Sequence, residues 1–294
     1  MHLLSFLLVI STTWLHANAY VQRYSASRQR DMIQQRQSGP STRNDPRPQK
    51  GNIPYGGAGI MTCQQPGTVA ITYDDGPNIY TSQVLDQLAT YGFKATFFVC
   101  GDNGHGAIDA DSRWIDVIRR MDAEGHQIGS HTWSHLDLSL DSTTEDQRFD
   151  EMVKTEMALR NILGKYPTYM RPPYDSCNTA CQNVLKTLGY VIVYQDLDTL
   201  DWAHQDDIQV SKDIFRQALE QTPGGPQSGH RLVLAHDLHQ LTVTSLTPYM
   251  LQYLKDNGWK AVTFASDAYC IWKSNSHLFQ WPLWESKWSN VLGF

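Results

Sequence analysis

What most limits the folds open to this chain is an alternation, beginning at Thr68, of short β-rich runs with stretches of helical period. The runs span 68–73, 95–99, 126–130, 168–171, 191–195, 231–235 and 261–264. Between the first two, Val84, Leu85 and Leu88 recur at helical spacing. Ile115, Ile118 and Met121 follow the same rule further on, as do Phe149, Met152, Leu159 and Leu163, with Glu156 as the polar break. Such alternation predicts βαβ units and a parallel sheet buried on both faces. Seven strands suffice for a closed barrel or for an open doubly wound sheet, and periodicity alone does not choose between them.

The polar residues do. Tyr73-Asp74-Asp75 ends the first run, Ser130-His131 the third and Arg171 the fourth. Residues 196–202 follow the fifth, and His236-Asp237 end the sixth. Every cluster lies at the carboxyl end of its run, where barrels and open parallel sheets both carry their sites. Five clusters converging on one rim suit a barrel better than a single crevice.

Composition narrows the partners. Of 294 residues, 41% are hydrophobic and 18% charged, which is ordinary for a globular protein. Residues 1–50 hold seven Lys/Arg against two Asp (+5), so residues 51–294 hold 17 basic against 28 acidic ones (−11) within a net charge of −6. An acidic body lacks the positive field that nucleic acid or anionic lipid requires. No apolar run reaches the roughly 18–20 residues of a membrane span.

The apolar stretch from Leu3 to Ile10, closed by Ala17-Asn18-Ala19, predicts a secretory signal peptide over 1–19. Residues 20–52 are polar, rich in Gln, Arg, Ser and Pro, and read as a flexible leader. Five cysteines in a secreted chain suggest two disulfides and one leftover thiol. Cys177 and Cys181 are near enough for one turn to join, Cys63 and Cys270 flank the globular region, and Cys100 ends an apolar run as a buried thiol. Residues 271–294 form a tail with Trp272, Trp281, Trp284 and Trp288, read as packing on the barrel in preference to stacking on sugar rings.

Five short motifs carry chemistry. Residues 72–77, Thr-Tyr-Asp-Asp-Gly-Pro, leave the first run in a sharp turn, which alone is equally a loop with a solvated acidic pair. Adjacent carboxylates repel and point apart, however, which suits one held on a metal and the other left free as a base. His131 and His135 have the spacing of a metal-binding pair, although two unrelated histidines would look the same. With Asp75 they make three ligands and leave one position open, the layout of a catalytic site rather than a closed structural one. Arg171-Pro172-Pro173-Tyr174 is a stiff loop whose guanidinium could pair with carboxylates and whose Tyr174 N–H could face an oxyanion. Residues 198–202 put an acid beside an indole, as a sugar-binding wall or a surface loop would. His236 ends a buried run, as a general acid or as a core histidine satisfied by its neighbour.

In this order the motifs resemble the polysaccharide deacetylases of carbohydrate esterase family 4, the NodB-homology domains, and within them the fungal chitin deacetylases. The resemblance covers residues 53–270: TYDDGP at 72–77, HTWSH at 131–135, RPPY at 171–174, DTLDW at 198–202 and LVLAHD at 232–237. It implies an α/β fold, a distorted (β/α) barrel of seven or eight strands, acting as a monomer. It further implies Asp74 as base, and Asp75, His131 and His135 around one divalent ion. That ion is Zn²⁺ by ligand type, with Co²⁺ also fitting. Arg171 would orient Asp74, and Asp201 would tune His236 as the acid. Tyr174 would meet the oxyanion, while Trp202 and Leu234 would line an acetyl pocket. Pairing of Cys63 with Cys270 and of Cys177 with Cys181 also resembles the family. Asp175 stands where many members have Gly, and Leu136 where many have Pro; neither is a ligand, acid or base. The activity implied is removal of N-acetyl groups from chitin or chito-oligosaccharides, leaving chitosan. Acetylxylan or peptidoglycan as substrate, or a chitin-binding homologue without catalysis, are the competing expectations.

Overall fold

Strand β1 (Thr68–Asp74) is buried at every position, as a strand must be when helices cover one face and a barrel interior the other. It belongs to a computed structural model that describes residues 40–47, 53–62 and 65–264. Side chains alternate across β1. Val69, Ile71 and Tyr73 pack outward against helices, whereas Ala70 joins Phe98, Tyr169, Val191, Val193, Leu232 and Phe264 in a separate inner cluster. By the same alternation Thr72 and Asp74 share the inner face, with Asp74 at the carboxyl rim.

The other strands are β2 (Thr96–Val99), β3 (Gln127–Ser130), β4 (Tyr169–Met170), β5 (Val191–Ile192), β6 (Leu197–Asp198), β7 (His230–His236) and β8 (Lys260–Val262). All pair in parallel, in the order β5-β4-β3-β2-β1-β7-β6, with β8 beside the first half of β1. The sheet curls into a distorted (β/α) barrel, the architecture expected from the rim of polar clusters. Helices α1 (Thr81–Tyr91), α2 (Ser112–Ala123), α3 (Glu145–Leu163), α4 (Thr179–Thr187), α5 (Ile208–Glu220) and α6 (Thr247–Asp256) connect the strands. Their starts are specified locally: Asp111 and Asn178 cap α2 and α4, and Thr144 with Gln147 forms a capping box on α3. The apolar positions of α1 and α2 read from the sequence are buried.

Three features depart from the sequence reading. An eighth strand, β6, lies inside a run that reads as polar loop, because two residues suffice to pair with Val233 and Leu234. Strands β4 and β5 keep only two residues each. Past Met170 the chain meets Pro172 and Pro173, which have no N–H to continue a ladder, and the Val193 carbonyl is taken by the Arg171 side chain. The third departure is residues 41–47, within the expected flexible leader. Thr42–Asn44 forms a short 3₁₀ turn with Thr42 buried. Arg47 donates to both oxygens of Glu156 on α3 at 2.9 Å and lies over the Tyr166 ring, while Arg43 lies over Phe149. The Glu156 side chain is 0% exposed. Burial raises its pKa and the Arg47 guanidinium opposes that. The polar break in the α3 pattern is thus a buried counter-charge for this strap.

Cys177 and Cys181 form a disulfide across the start of α4 (Cα–Cα 5.3 Å), and Cys100 is a buried free thiol. Cys63, Cys270, the signal-peptide stretch and the Trp-rich tail lie outside the described residues. Among the described residues no helix is long and apolar enough to cross a membrane.

Candidate active site and metal centre

The register of the sheet assembles the mouth of the barrel. Asp74 on β1 pairs with His236 on β7, and Thr72 with Leu234. Neighbouring strands lie about 4.8 Å apart, so a carboxylate and an imidazole stand side by side on the rim. From the loop after β4, Arg171 reaches beneath them. It is 1% exposed and lies over the Phe98 ring. Its Nη1 donates to Thr72 Oγ1 (2.6 Å) and Asp74 Oδ1 (2.8 Å), and its Nη2 to the Tyr194 carbonyl (2.7 Å). The buried Asp74 thus has a fixed cation on one oxygen, while Oδ2 points toward His131, 3.8 Å from its Nε2.

Asp75 turns away in the left-handed region (φ 72°) and aims Oδ1 at two imidazoles. His131 Nε2 is 3.2 Å from that atom and His135 Nε2 is 3.1 Å from it. His131 Nδ1 donates to the Arg171 carbonyl at 2.7 Å. A neutral imidazole with its proton there presents a bare Nε2 lone pair to the carboxylate. Asp75 Oδ1 itself is buried without a hydrogen-bond partner. Three acceptors converging on one small volume call for a positive charge between them, and one carboxylate with two imidazoles is a donor set for a divalent cation with a position left open. The residues present therefore fit such an ion.

The opposite side of the mouth is complete without one. Asp201, fully buried, accepts from His236 Nδ1 (2.8 Å), from the His236 backbone N–H (2.8 Å) and from Thr242 Oγ1 (2.7 Å). Burial disfavours the imidazolium, but the Asp201 carboxylate outweighs it and the His236 pKa is pushed up to about 9. Asp201 is correspondingly held below the usual carboxylate range against its own burial, first through the His236 bond. With its proton on Nδ1 facing Asp201, His236 leaves Nε2 for the cleft.

Contacts at this rim join Asp74, Asp75, His131, His135 and Arg171 on one side and Asp201 and His236 on the other. Leu234 is buried on β7, while Tyr174 and Trp202 are 69% and 55% exposed, Tyr174 with its ring edge-on to His135. Six non-glycine residues have left-handed backbone among the described residues: Asp75, Thr132, His135, Tyr174, Asp175 and Leu200. All lie in the loops of this mouth, where backbone strain concentrates when surroundings over-determine a geometry. Sequence reasoning missed Thr72 and Thr242, whose hydroxyls steer Arg171 and Asp201, because an isolated threonine carries no signal. It also passed over the second half of His236-Asp237. Burial pushes the Asp237 carboxyl up to about 7 despite a bond from Thr81. A Cβ on Gly76 would lie 2.5 Å from either Asp237 oxygen, so only glycine fits after the acidic pair.

A curled parallel α/β barrel with an Asp/His/His cluster able to hold a divalent ion, a guanidinium-held carboxylate and a carboxylate-held imidazole on one rim has the equipment of a hydrolase. Residues 62–193 match the family model described as polysaccharide deacetylase. The chain is 42% identical over 240 residues to a chitin deacetylase of Pestalotiopsis sp, covering 80% of this chain and 76% of that protein. It is 44% identical over 209 residues to a chitin deacetylase of Colletotrichum lindemuthianum, covering 70% and 82%. The solved structure of the Colletotrichum lindemuthianum enzyme superposes with a TM-score of 0.65 at 42% identity, over 72% of this chain and 91% of that one. Peptidoglycan deacetylase PdaC of Bacillus subtilis superposes with a TM-score of 0.56 at 28% identity, over 68% and 88%. The chain belongs to the polysaccharide deacetylase family, carbohydrate esterase family 4 with the NodB-homology fold.

Proposed function

We propose that this protein is a secreted chitin deacetylase: it hydrolyses the N-acetyl amide of N-acetylglucosamine units in chitin or chito-oligosaccharides, releasing acetate and leaving chitosan. The observation that carries the reading is Asp75 Oδ1 within 3.2 Å of two imidazole nitrogens, next to a second carboxylate held by Arg171. The choice of substrate rests on the chitin deacetylases with 42% and 44% identity. Secretion rests on the signal-like residues 1–19.

Asp75, His131 and His135 would hold the divalent ion, Zn²⁺ by ligand type. When bound, the ion supplies Lewis acidity at the acetyl carbonyl and makes a water acidic enough to lose its proton near neutral pH. Asp74, fixed by Arg171, takes that proton as the water oxygen attacks the carbonyl carbon. Negative charge gathering on the former carbonyl oxygen faces the Tyr174 N–H, a contact whose removal from comparable sites costs about 3–4 kcal/mol. His236 gives its proton from Nε2 to the amide nitrogen, the C–N bond breaks, and the amine departs neutral. Asp201 keeps the Nδ1 proton in place and stabilises the charged ring beforehand. Trp202 and Leu234 line the space for the acetyl methyl.

Acetate release from chito-oligosaccharides of graded length tests the proposal, with acetylated xylan and peptidoglycan in parallel. Release from the chito-oligosaccharides is expected to stop on chelation and to return with Zn²⁺ or Co²⁺. Chitin binding without acetate release at any added metal, or faster release from xylan, overturns it.

A further inference from the structure

The turn that joins His131 to His135 is held from two sides. On one, the carbonyls of Thr132 and Trp133 accept from the N–H groups of Gly101 (3.1 Å) and Asp102 (2.6 Å). On the other stands Glu151, a residue of α3 outside every motif read from the sequence and 8% exposed. Its Oε2 accepts from the backbone N–H of Trp133 (2.9 Å) and of Ser134 (2.7 Å), and its Oε1 from the Ser134 hydroxyl (2.8 Å). Both residues at the turn's ends, Thr132 and His135, have left-handed backbone (φ 68° and 58°). L-residues leave that region unless external contacts hold them there. One carboxyl group from a helix satisfies two peptide donors and a hydroxyl that the turn cannot satisfy itself.

We propose that Glu151 is the positioning residue of the metal centre: by fixing the Trp133–Ser134 peptides it sets where His131 and His135 aim Nε2, and so governs affinity for a divalent cation. The proposal rests on the reading of Asp75, His131 and His135 as ligands. Because it works through two N–H acceptor bonds, it separates two substitutions. In Glu151→Gln the amide oxygen still accepts both N–H groups, and the NH₂ donates to Ser134 Oγ in reverse. In Glu151→Ala both N–H groups lose their partner.

The experiment is titration of metal-free protein with zinc alone against a chromophoric chelator, with thermal melting of the metal-free forms and kcat and KM of the loaded ones. Glu151→Ala is expected to weaken zinc binding by about 10–100-fold, the usual cost of losing a partner that orients a ligand. Glu151→Gln should stay within about threefold of the wild type, and kcat at limiting zinc should follow affinity while KM holds. Should Glu151→Ala fail to fold, Glu151→Asp takes its place; its shortened carboxylate retracts from both N–H groups, so at least fivefold weaker binding is expected. Equal zinc affinity in all variants, with only the metal-free melting temperature moved, overturns the proposal. So does a Gln variant as weak as the Ala or Asp variant. A wild-type protein that takes up no zinc overturns the ligand reading itself, and the proposal with it.

Discussion

The two sides of the barrel mouth are built on opposite principles. On the β1–β3 side, Asp75 Oδ1 is buried without a hydrogen bond and faces two imidazole nitrogens, so the protein's own groups leave the charge unbalanced. On the β7 side, His236, Asp201 and Thr242 satisfy one another within 2.8 Å. The first is arranged to take up an outside cation; the second is finished when the chain folds. Chemistry that requires both a Lewis acid and a proton donor is thereby divided between an acquired part and a built-in part.

The strongest way to break this division is His131→Ala, which should abolish zinc binding and bring acetate release to background, both read on the purified protein. Next comes Asp74→Asn. It should lower kcat by about 10²–10⁴-fold, the usual share of a general base, and leave zinc affinity close to wild type because Asp74 is not among the three ligands. Normal rates in that variant would remove the base assignment.

Asp201→Asn tests the finished side. By NMR titration of the metal-free protein, the His236 pKa should fall from about 9 toward 6.5. Since the folded value lies above the unfolded one, the stabilisation is fully present below pH 6.5 and is lost as pH rises through about 9. Its size is about 3 kcal/mol. Urea melts across that window should therefore slope in the wild type and flatten in Asp201→Asn. The smallest effect is expected from Gly76→Ala, where the new methyl meets Asp237 at 2.5 Å. Overpacking of this sort costs about 1–3 kcal/mol. It should weaken zinc binding through the neighbouring Asp75 while leaving the His236 titration unmoved.

How much of this was legible beforehand follows from the kind of signal each part carries. Strand–helix alternation and polar residues at the strand ends are collective patterns, and they anticipated the parallel barrel and the rim on which Asp74, Asp75, His131, His135, Arg171, Asp201 and His236 meet. Strand β6 escaped because Leu197–Asp198 is too short for any period to register. Thr72, Thr242 and Glu151 act through hydrogen bonds to residues 17 or more positions away, and no local spacing encodes such bonds. Arg47, inside the stretch that reads as a flexible leader, escapes for a related reason. Its partner Glu156 lies 109 residues later, and each charge alone looks like surface.

That strap has a practical meaning for anyone trimming the chain. Cutting ahead of Ser41 spares every contact described for it, whereas a cut beyond Arg47 abandons a fully buried acidic side chain on the helix that also carries Glu151. Breaking such a pair from one side typically costs about 3–5 kcal/mol. A shortened protein that aggregates on expression would then be reporting a missing arginine, not a faulty catalyst.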